Sequence, residues 1–264
     1  MKKTLIALAV MASSATSCSV MAWTGSGNGG TVTLGGTLNV VNVVSPWEVK
    51  TGSAVNNLDA DIKKGNIQTV VKVTKAIPIL GIRIKDGDLF KGQKSISPQI
   101  NYNGAVDLKG TMNSRSGLMS LFLKIHDKNG NTIGTLQTSI LGGAGISRKV
   151  SGDAYSAYPD TSVTNYAFKG GIPTGTATVA YLNDLKSRIN KIDSTFTQNF
   201  NDHGVTNVRE WKSVDFSNQK ESYSAFYGSG IEAGQTINIT LNGPHLMNET
   251  FNWTASLPVT VYYM

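Results

Sequence analysis

The residue types that could do catalytic or metal chemistry are present, but not at the spacings this chemistry requires. His126, His203 and His245 lie far apart, and none stands at metal-ligand spacing with a second histidine or a carboxylate pair. No Gly-x-Ser-x-Gly segment supports a serine nucleophile. Asp86-Gly87-Asp88 lacks the further ligands of a calcium loop, so we interpret it as a turn. We therefore predict no catalytic residue, no metal site and no cofactor, and that the protein is not an enzyme.

A glycine-rich stretch from Gly25 to Gly30 matches the dinucleotide fingerprint Gly-x-Gly-x-x-Gly letter by letter. That fingerprint requires a strand before it and a helix after it. Here a leader sequence precedes the glycines and a strand pattern follows them, so the match is accidental. Basic residues do not alternate with aromatic ones, and we expect no nucleic-acid partner.

The first 22 residues have the three parts of a secretion signal. Lys2 and Lys3 form the basic start, Leu5–Ala15 the apolar centre, and Val20-Met21-Ala22 a cleavage site of small residues. The apolar run is too short to span a bilayer, so we expect residues 1–22 to be removed. Cys18 is the only cysteine, and a lipoprotein anchored through it is a weaker alternative because Ala15-Thr16-Ser17 is a poor lipobox.

The charge and composition fit an exported β protein. The formal net charge is +7, of which about +5 remains after removal of Lys2 and Lys3, and charged residues make up only 16 % of the chain. We interpret this mild positive charge as an aid to solubility. The alternative interpretation is that it attracts acidic surfaces such as sialylated or sulfated glycans.

An alternating apolar row follows directly on the signal. Its members occupy every second position, so they share one face of a strand. A glycine-rich leader separates the row from the rest of the chain. We predict that residues 23–41 form a detachable strand that fills an apolar groove, either the chain's own or that of a neighbouring copy. The predicted groove-filling residues are Val32, Leu34, Gly36, Leu38 and Val40.

Most of the remaining chain reads as short strands between turn signals. The clearest hairpin joins Leu118–His126 to Thr132–Leu141 through Asp127–Asn131. Pro78 in the run Ile77–Ile84 predicts an edge or bulged strand. Further strands are expected at 67–75, 99–102, 105–108 (with 99–102 around an Asn-Gly turn), 235–241 and 251–264.

One segment has the spacing of a helix instead. From 178 to 196 the apolar residues recur at steps of three and four, which gives one face of an amphipathic helix. The surrounding residues 142–211 are rich in loop formers, so we predict a small helical subdomain inserted in a β domain spanning 42–264. Aromatic residues in this insertion could stack on sugar rings, although packing of the insertion is the favoured explanation: Tyr155, Tyr158, Tyr166 and Phe168.

The C-terminus mirrors the alternation at the N-terminus. Leu257, Val259, Val261 and Tyr263 share one face. An ordinary last strand, placed at an edge by Pro258, explains this pattern. Together with the detachable N-terminal strand it also fits an open groove that a neighbour's strand fills. A self-complemented periplasmic binding protein is a further alternative.

Six segments, most of them near the two ends of the chain, form a recognisable set: MKKTLIALAV, Trp23-Thr24-Gly25, Gly35-Gly36-Thr37-Leu38, Trp47–Gly52, Gly228–Ile237 and Trp253–Tyr263. In these segments, and more thinly between them, the chain resembles the kappa-clade chaperone–usher fimbrial subunits typified by K-88 (F-four) fimbriae. One departure is Phe251, at a position where many pilins have glycine.

The resemblance implies an incomplete immunoglobulin-like β-sandwich that lacks its last strand. A periplasmic chaperone would lend a strand until the outer-membrane usher replaces it with the next subunit's N-terminal extension. The groove edge that chaperone and usher recognise would be Leu257, Val259, Val261 and Tyr263. The protein would then pass through the periplasm to a fimbrium on the cell surface and contribute to adhesion to host cells.

In this clade the major subunit is itself the lectin, with its sugar site in the inserted subdomain. That feature would make host glycans a further partner, and residues 142–211 would be the counterpart here. No motif in this region allows a transfer of sugar-contacting residues. Whether the chain is a glycan-binding adhesin or a structural subunit, major or minor, stays open at this point.

Overall fold

The chain forms mainly antiparallel strands, as predicted. The computed structural model describes residues 36, 45–87, 89–110, 114–160, 162–175, 177–205, 211–243 and 250–264, and within them there is one α-helix. The helix α1 is Leu182–Ile192, followed by a 3₁₀ turn at Ser194–Phe196. The strands are β1 (Trp47–Thr51), β2 (Gln68–Lys72), β3 (Ile77–Ile84), β4 (Phe90–Lys91), β5 (Pro98–Asn101), β6 (Val106–Asp107), β7 (Leu118–His126), β8 (Thr132–Arg148), β9 (Asp153–Ala157), β10 (Trp211–Lys212), β11 (Ser222–Ile231), β12 (Thr236–Leu241), β13 (Thr254–Ala255) and β14 (Thr260–Tyr263).

The long strand β8 organises the main sheet because its two halves have different neighbours. Residues 132–141 pair with β7 on one side, and residues 134–137 pair with β12 on the other. Residues 141–148 pair with β11, and residues 145–148 also pair with β9. The hydrogen-bonded order β1-β3-β11-β8-β12-β2 follows, while β5 and β14 form a separate pair.

The hairpin predicted between β7 and β8 is confirmed. The carboxylate of Asp127 closes its turn by accepting the backbone N–H groups of Asn129 and Asn131, each at 2.9 Å. An Asp side chain that accepts from its own turn is a common way to fix a short connection. The turn at Asn103-Gly104 also forms, but β5 and β6 on either side of it pair with different strands.

Strand β3 is bulged, as its proline predicts, but it does not lie at an edge. The register of β3 against β11 shifts between Ser229 and Gly230, opposite Pro78. Strand β1 pairs with the other side of β3 from Leu80 to Ile84, which leaves β3 inside the sheet. Proline has no backbone N–H to donate. It is tolerated at position 78 because this position lies outside the part of β3 that pairs with β1.

The helix of the insertion presents the predicted face to the sheet. All six apolar residues that define that face are buried: Val179, Leu182, Leu185, Ile189, Ile192 and Phe196. The regular helix ends at Ile192, short of the prediction, because the Asp193 side chain accepts the N–H of Thr195 and starts the 3₁₀ turn. The insertion is also less loop-rich than expected, since β8 continues to Arg148 and β9 pairs with it.

A row of glycines provides the surface on which α1 lies. Gly143, Gly228 and Gly81 are aligned across β8, β11 and β3. A Cβ at Gly143 would lie 2.7 Å from Leu185, one at Gly228 would lie 2.5 Å from Ile189, and one at Gly81 would overlap the Phe196 ring. The helical side chains therefore rest directly on the backbone of three strands, a distance that only glycine permits.

Two apolar clusters fill the fold. The first includes the buried face of α1 and an aromatic group in which Trp47 contacts Phe90, Phe168 and Phe216 at ring-centre distances of 5.0 to 5.7 Å. The second lies between β2, β12, β7 and the first half of β8, and its buried members are Val71, Val73, Met119, Leu121, Ile125, Ile133, Leu136, Ile140, Ile231, Ile237, Ile239 and Leu241. Within the described ranges no helix is long and apolar enough to cross a membrane.

The close approach of α1 to the glycine row can be tested with Gly228→Ala. The added methyl group would clash with Ile189, so we expect the free energy of unfolding in urea to fall by about 1–3 kcal/mol. The double variant with Ile189→Ala should lose less than the sum of the two single variants, because the shortened side chain makes room for the methyl group. Strictly additive losses would contradict this explanation.

Candidate functional site

The last residues of the chain form an edge with one apolar and one polar face. We call residues Phe251–Met264 the C-terminal edge. Along it the burial alternates residue by residue, as the sequence predicts, and the alternation extends further upstream than the predicted set of Leu257, Val259, Val261 and Tyr263. The half-buried side chains are Phe251, Trp253, Ala255, Leu257, Val259 and Val261. Tyr263 departs from the pattern, since 37 % of its surface is exposed.

The C-terminal edge hydrogen-bonds to the body of the fold along one side. Strand β13 pairs with the end of β7, and β14 pairs with β5 from Thr260–Asn101 to Tyr263–Pro98. Met264 and Ser97 close this ladder by exchanging two backbone hydrogen bonds of 3.1 Å. Among the described residues no strand pairs with the other side of β13 or β14. The free side presents backbone donors and acceptors to any strand that approaches.

The first described residues after the N-terminal segment meet the end of the C-terminal edge. The Tyr263 hydroxyl forms a side-chain hydrogen bond with Ser45. Burial raises the pKa of Tyr263 above its ordinary value despite that hydrogen bond, so the hydroxyl stays neutral at physiological pH. Trp47 fixes the start of β1 because its indole N–H donates to the carbonyl of Ile96 at 2.6 Å.

The apolar side of the C-terminal edge borders both clusters: Phe251, Trp253 and Ala255 pack against the second, Val259 and Val261 against the first, and Leu257 against both. The rim of the second cluster is incompletely covered. Twelve apolar residues pack against that cluster but remain partly exposed. They come from the loop after β1, from β3, from the β6–β7 region and from the C-terminal edge itself: Leu58, Ile62, Ile77, Ile79, Ala105, Val106, Leu108, Leu123, Phe251, Trp253, Ala255 and Leu257. Apolar surface left in water costs roughly 25 cal/mol per Å², so this rim favours a further covering element.

The aromatic residues singled out as sugar contacts have different environments. Tyr155 and Phe168 are completely buried, and Tyr166 is nearly so. One face of Phe168 packs on Tyr227, and the cationic groups of Arg148 and Lys212 lie over the Tyr155 ring. Neither the Tyr155 ring nor the Phe168 ring presents a face to solvent, so neither can stack on a sugar in this fold.

Tyr158 alone of those four aromatic residues is half-exposed. It follows β9, and its backbone N–H donates to the carbonyl of Lys212 at 3.0 Å. Its proposed role as a sugar contact remains a prediction.

The residues predicted to fill a groove, and the predicted signal peptide, lie outside the described residues, with one exception. Gly36 is described, and it is exposed with no atom close to where a Cβ would stand. Their role therefore remains a prediction.

Sequence reasoning missed part of the rim that borders the second cluster. The apolar residues at every second position begin at Phe251 and continue through Trp253 and Ala255 to Leu257. This pattern could have predicted that the apolar face starts at Phe251. The sequence around Ile77 and Ile79 on β3 gives no comparable signal. Their partial exposure depends on which other parts of the chain pack over them, and the local sequence does not determine that.

Comparison with known proteins gives a consistent result along the whole chain. A family whose members are described as fimbrial major and minor subunits of the K88 type matches residues 1–264. Similar proteins in Escherichia coli include K88 fimbrial protein AB, 28 % identical over 293 residues, K88 fimbrial protein AD, 28 % over 294, and the F41 fimbrial protein, 29 % over 285. Each of these alignments covers 100 % of both chains.

The two faces of the C-terminal edge can be compared with Val259→Asp and its neighbour Thr260→Asp. Val259 packs on the core and Thr260 points to solvent. We expect Val259→Asp to lower the free energy of unfolding by about 1–3 kcal/mol, because it places a charge against apolar side chains. Thr260→Asp should change it by less than about 0.5 kcal/mol. Equal losses in urea melts would contradict the assigned faces.

The ion pairs around Tyr155 predict a loss of stability in acid. The Arg148 guanidinium donates to both carboxylate oxygens of Asp153, and Lys212 donates at 2.8 Å. These cations, Arg148 first, lower the pKa of Asp153. A lowered pKa stabilises the fold above the unfolded value of about 3.9, and this stabilisation disappears as the pH falls through the folded value.

Asp153→Asn tests that contribution. The variant should be less stable at neutral pH and should show a shallower fall of the free energy of unfolding below about pH 4 than the parent protein. Asp59→Asn, which removes an exposed carboxylate after β1, is the matched control and should change the free energy of unfolding at neutral pH by less than about 0.5 kcal/mol. Identical profiles for Asp153→Asn and the parent would contradict the role of Asp153.

Proposed function

Because this chain belongs to the family of K88-type fimbrial major and minor subunits, we propose that donor-strand exchange builds it into the fibre. Family membership makes it a subunit that associates with other fimbrial subunits in a surface structure. The family is one of fimbrial structural subunits and not of enzymes. In the proposed exchange, residues 23–41 of each incoming copy fill the groove beside the C-terminal edge of the copy that was added before it.

The observation that carries this proposal is the C-terminal edge itself. Its apolar side chains lie half-buried against both clusters. Phe251, Trp253 and Ala255 share the rim of the second cluster with Ile77, Ile79 and the β6–β7 region, while Val259 and Val261 pack against the first cluster. Its free side has no partner strand among the described residues. A strand added there would cover the apolar rim and satisfy the backbone groups in one step, which is the usual mode of strand addition.

The N-terminal segment, residues 23–41, has the alternating apolar side chains that a strand added beside the C-terminal edge would need. Val32, Leu34, Leu38 and Val40 repeat with the spacing of one strand face. Gly36 interrupts the row, which would suit a point where the groove is too shallow for a side chain. Burying three or four aliphatic side chains at about 1.5–3 kcal/mol each gives roughly 5–12 kcal/mol before costs. Each backbone hydrogen bond adds about 1 kcal/mol net. Such a joint would be very slow to open.

The same open edge explains why the subunit would need a partner before assembly. In the periplasm a chaperone would lend a strand to the C-terminal edge, and the usher would exchange it for the donor strand of the next subunit. The chaperone and the usher would recognise the edge formed by Leu257, Val259, Val261 and Tyr263. The assembled fimbrium would then contribute to adhesion to host cells.

The decisive experiment uses the mature protein with and without residues 23–41. A peptide spanning Thr31–Val41 should bind the shortened protein and, in large excess over its Kd, raise the melting temperature by about 5–10 °C. The same peptide with Leu34→Asp and Leu38→Asp is the matched control and should have little effect, because a charged residue is costly in an apolar groove.

The full-length protein distinguishes the competing proposals. Donor-strand exchange predicts concentration-dependent polymers that the Thr31–Val41 peptide suppresses. A peptide without effect, together with a full-length protein that never polymerises, would overturn the proposal. A stable monomer that loses its fold when residues 23–41 are deleted and no partner strand is supplied in trans would point to self-complementation instead.

A further inference from the structure

The point where the N-terminal segment joins the body of the fold is held by hydrogen bonds on several sides. The side chain of Ser45 bonds to the Tyr263 hydroxyl, and its oxygen also accepts the backbone N–H of Trp47 at 3.2 Å. The carbonyl of Pro46 accepts the N–H of Lys85 at 3.0 Å. We call Ser45–Trp47 the root of the N-terminal segment.

The root lies at the C-terminal end of the C-terminal edge. Ser97 exchanges two backbone hydrogen bonds of 3.1 Å with Met264, the last residue of the edge. The neighbouring residue Ile96 accepts the indole N–H of Trp47 at 2.6 Å. Two adjacent residues therefore hold both the root and the end of the edge. The segment leaves the body at the Met264 end of the groove and not at the Phe251 end.

The position of the root limits how the chain could use its own groove. The apolar row from Val32 to Val40 takes eight steps along a strand, or about 26 Å. If the row lay antiparallel to the edge, Val32 would be nearest Met264 and Val40 would be farthest from it. From Val40 to Ser45 there are only five steps, which span at most about 18 Å when fully extended. Sliding the row until this link reaches would carry Val32 beyond Met264 and out of the groove.

Only the parallel direction is open to the chain's own segment, because a strand that ends at the root can run beside the edge in the same direction. Parallel ladders are slightly less stable per residue than antiparallel ones. The side chains do not choose between the two directions, since the row reads Val-Leu-Gly-Leu-Val from either end. The direction is therefore decided by backbone pairing and by the root.

Without such a limit, the chain's own segment would have a large advantage over that of a neighbour. A segment joined by a short flexible link meets its own groove at an effective concentration in the millimolar range. At a protein concentration of about 10 µM, the segment of a neighbouring copy is roughly a hundredfold more dilute. An unrestricted chain would therefore close its own groove before it joined another copy.

We propose that the root excludes antiparallel insertion of the N-terminal segment into its own groove, so that the antiparallel joint forms only between two copies. Ser45 and Trp47 act as positioning residues, since they fix where the segment leaves the body and thereby the direction in which it can run. This inference rests on the proposed donor-strand exchange and adds to it the reason why the joint is made with a neighbour.

The test compares two insertions of the same Gly-Ser sequence in the full mature protein, without chaperone or usher. About twelve residues inserted after Asn42 raise the average reach of the link to about 23 Å, close to the span that antiparallel self-insertion needs. At about 10 µM protein we expect this variant to form at least about tenfold less polymer than the parent and to remain monomeric. The same insertion after Gly27, in the leader, does not lengthen the link to the root. It is the matched control and should polymerise like the parent.

Engineered cysteines report the direction of the inserted strand, because Cys18 is the only cysteine and lies in the predicted signal. In the monomer with the Asn42 insertion, Thr33→Cys should be joined by a short bis-maleimide to Thr260→Cys of the same chain, as an antiparallel strand requires. A parallel strand would bring it to Thr254→Cys instead. Crosslinking to position 254, or equal polymerisation of the two insertion variants, would overturn the proposal.

The parent protein separates this inference from the proposed function. A parent that fails to polymerise, with a Thr31–Val41 peptide that has no effect, would overturn donor-strand exchange and this inference with it. A parent that polymerises, beside two insertion variants that polymerise equally well, would leave donor-strand exchange intact and overturn only the role of the root.

Discussion

The contact between helix α1 and the sheet rests on glycine backbone. Gly143, Gly228 and Gly81 lie side by side on three strands, and Leu185, Ile189 and Phe196 fill the space where their side chains would be. This close packing buries the apolar face of the helix against the sheet. A side chain in any of the three positions would push the helix away from the sheet. The position of the whole insertion depends on this row.

Both clusters keep a partly exposed apolar border along the C-terminal edge. Phe251, Trp253 and Ala255 pack against the second cluster, Val259 and Val261 against the first, and Leu257 against both. Apolar burial and backbone pairing are both incomplete along that edge in the described residues. Under the proposed donor-strand exchange, a strand added at this edge would therefore cover parts of both clusters.

Charged side chains in this fold fix loops rather than build a reactive site. Arg188 joins the helix to Glu232 and to the loop that carries Arg115. The Glu221 carboxylate accepts the N–H groups of Val150 and Ser151, and these bonds lower its pKa although burial opposes them. Each charge is thus used to position backbone. Arg115 is the exception among the arginines described, because its surroundings position it without neutralising it.

The sequence by itself determined the features that depend on local periodicity. The two-residue spacing from Leu257 to Val261 and the three-to-four-residue spacing from Leu182 to Ile192 gave the buried faces correctly, because backbone geometry fixes which side chains share a face. The turn at Asp127 was predictable because Asp, Asn and Gly residues favour short turns through local hydrogen bonds and backbone freedom. Motifs at both ends were enough to identify the family.

Only the tertiary structure decided which side chains are accessible and which distant residues meet. Tyr155 and Phe168 looked equivalent to Tyr158 in the sequence, yet they are buried because other elements pack over them. Nothing local aligns Gly143 with Gly228, or brings Arg115 to Trp211. Exposure and long-range contact depend on the path of the chain between elements, and that path is set by the packing of the whole molecule.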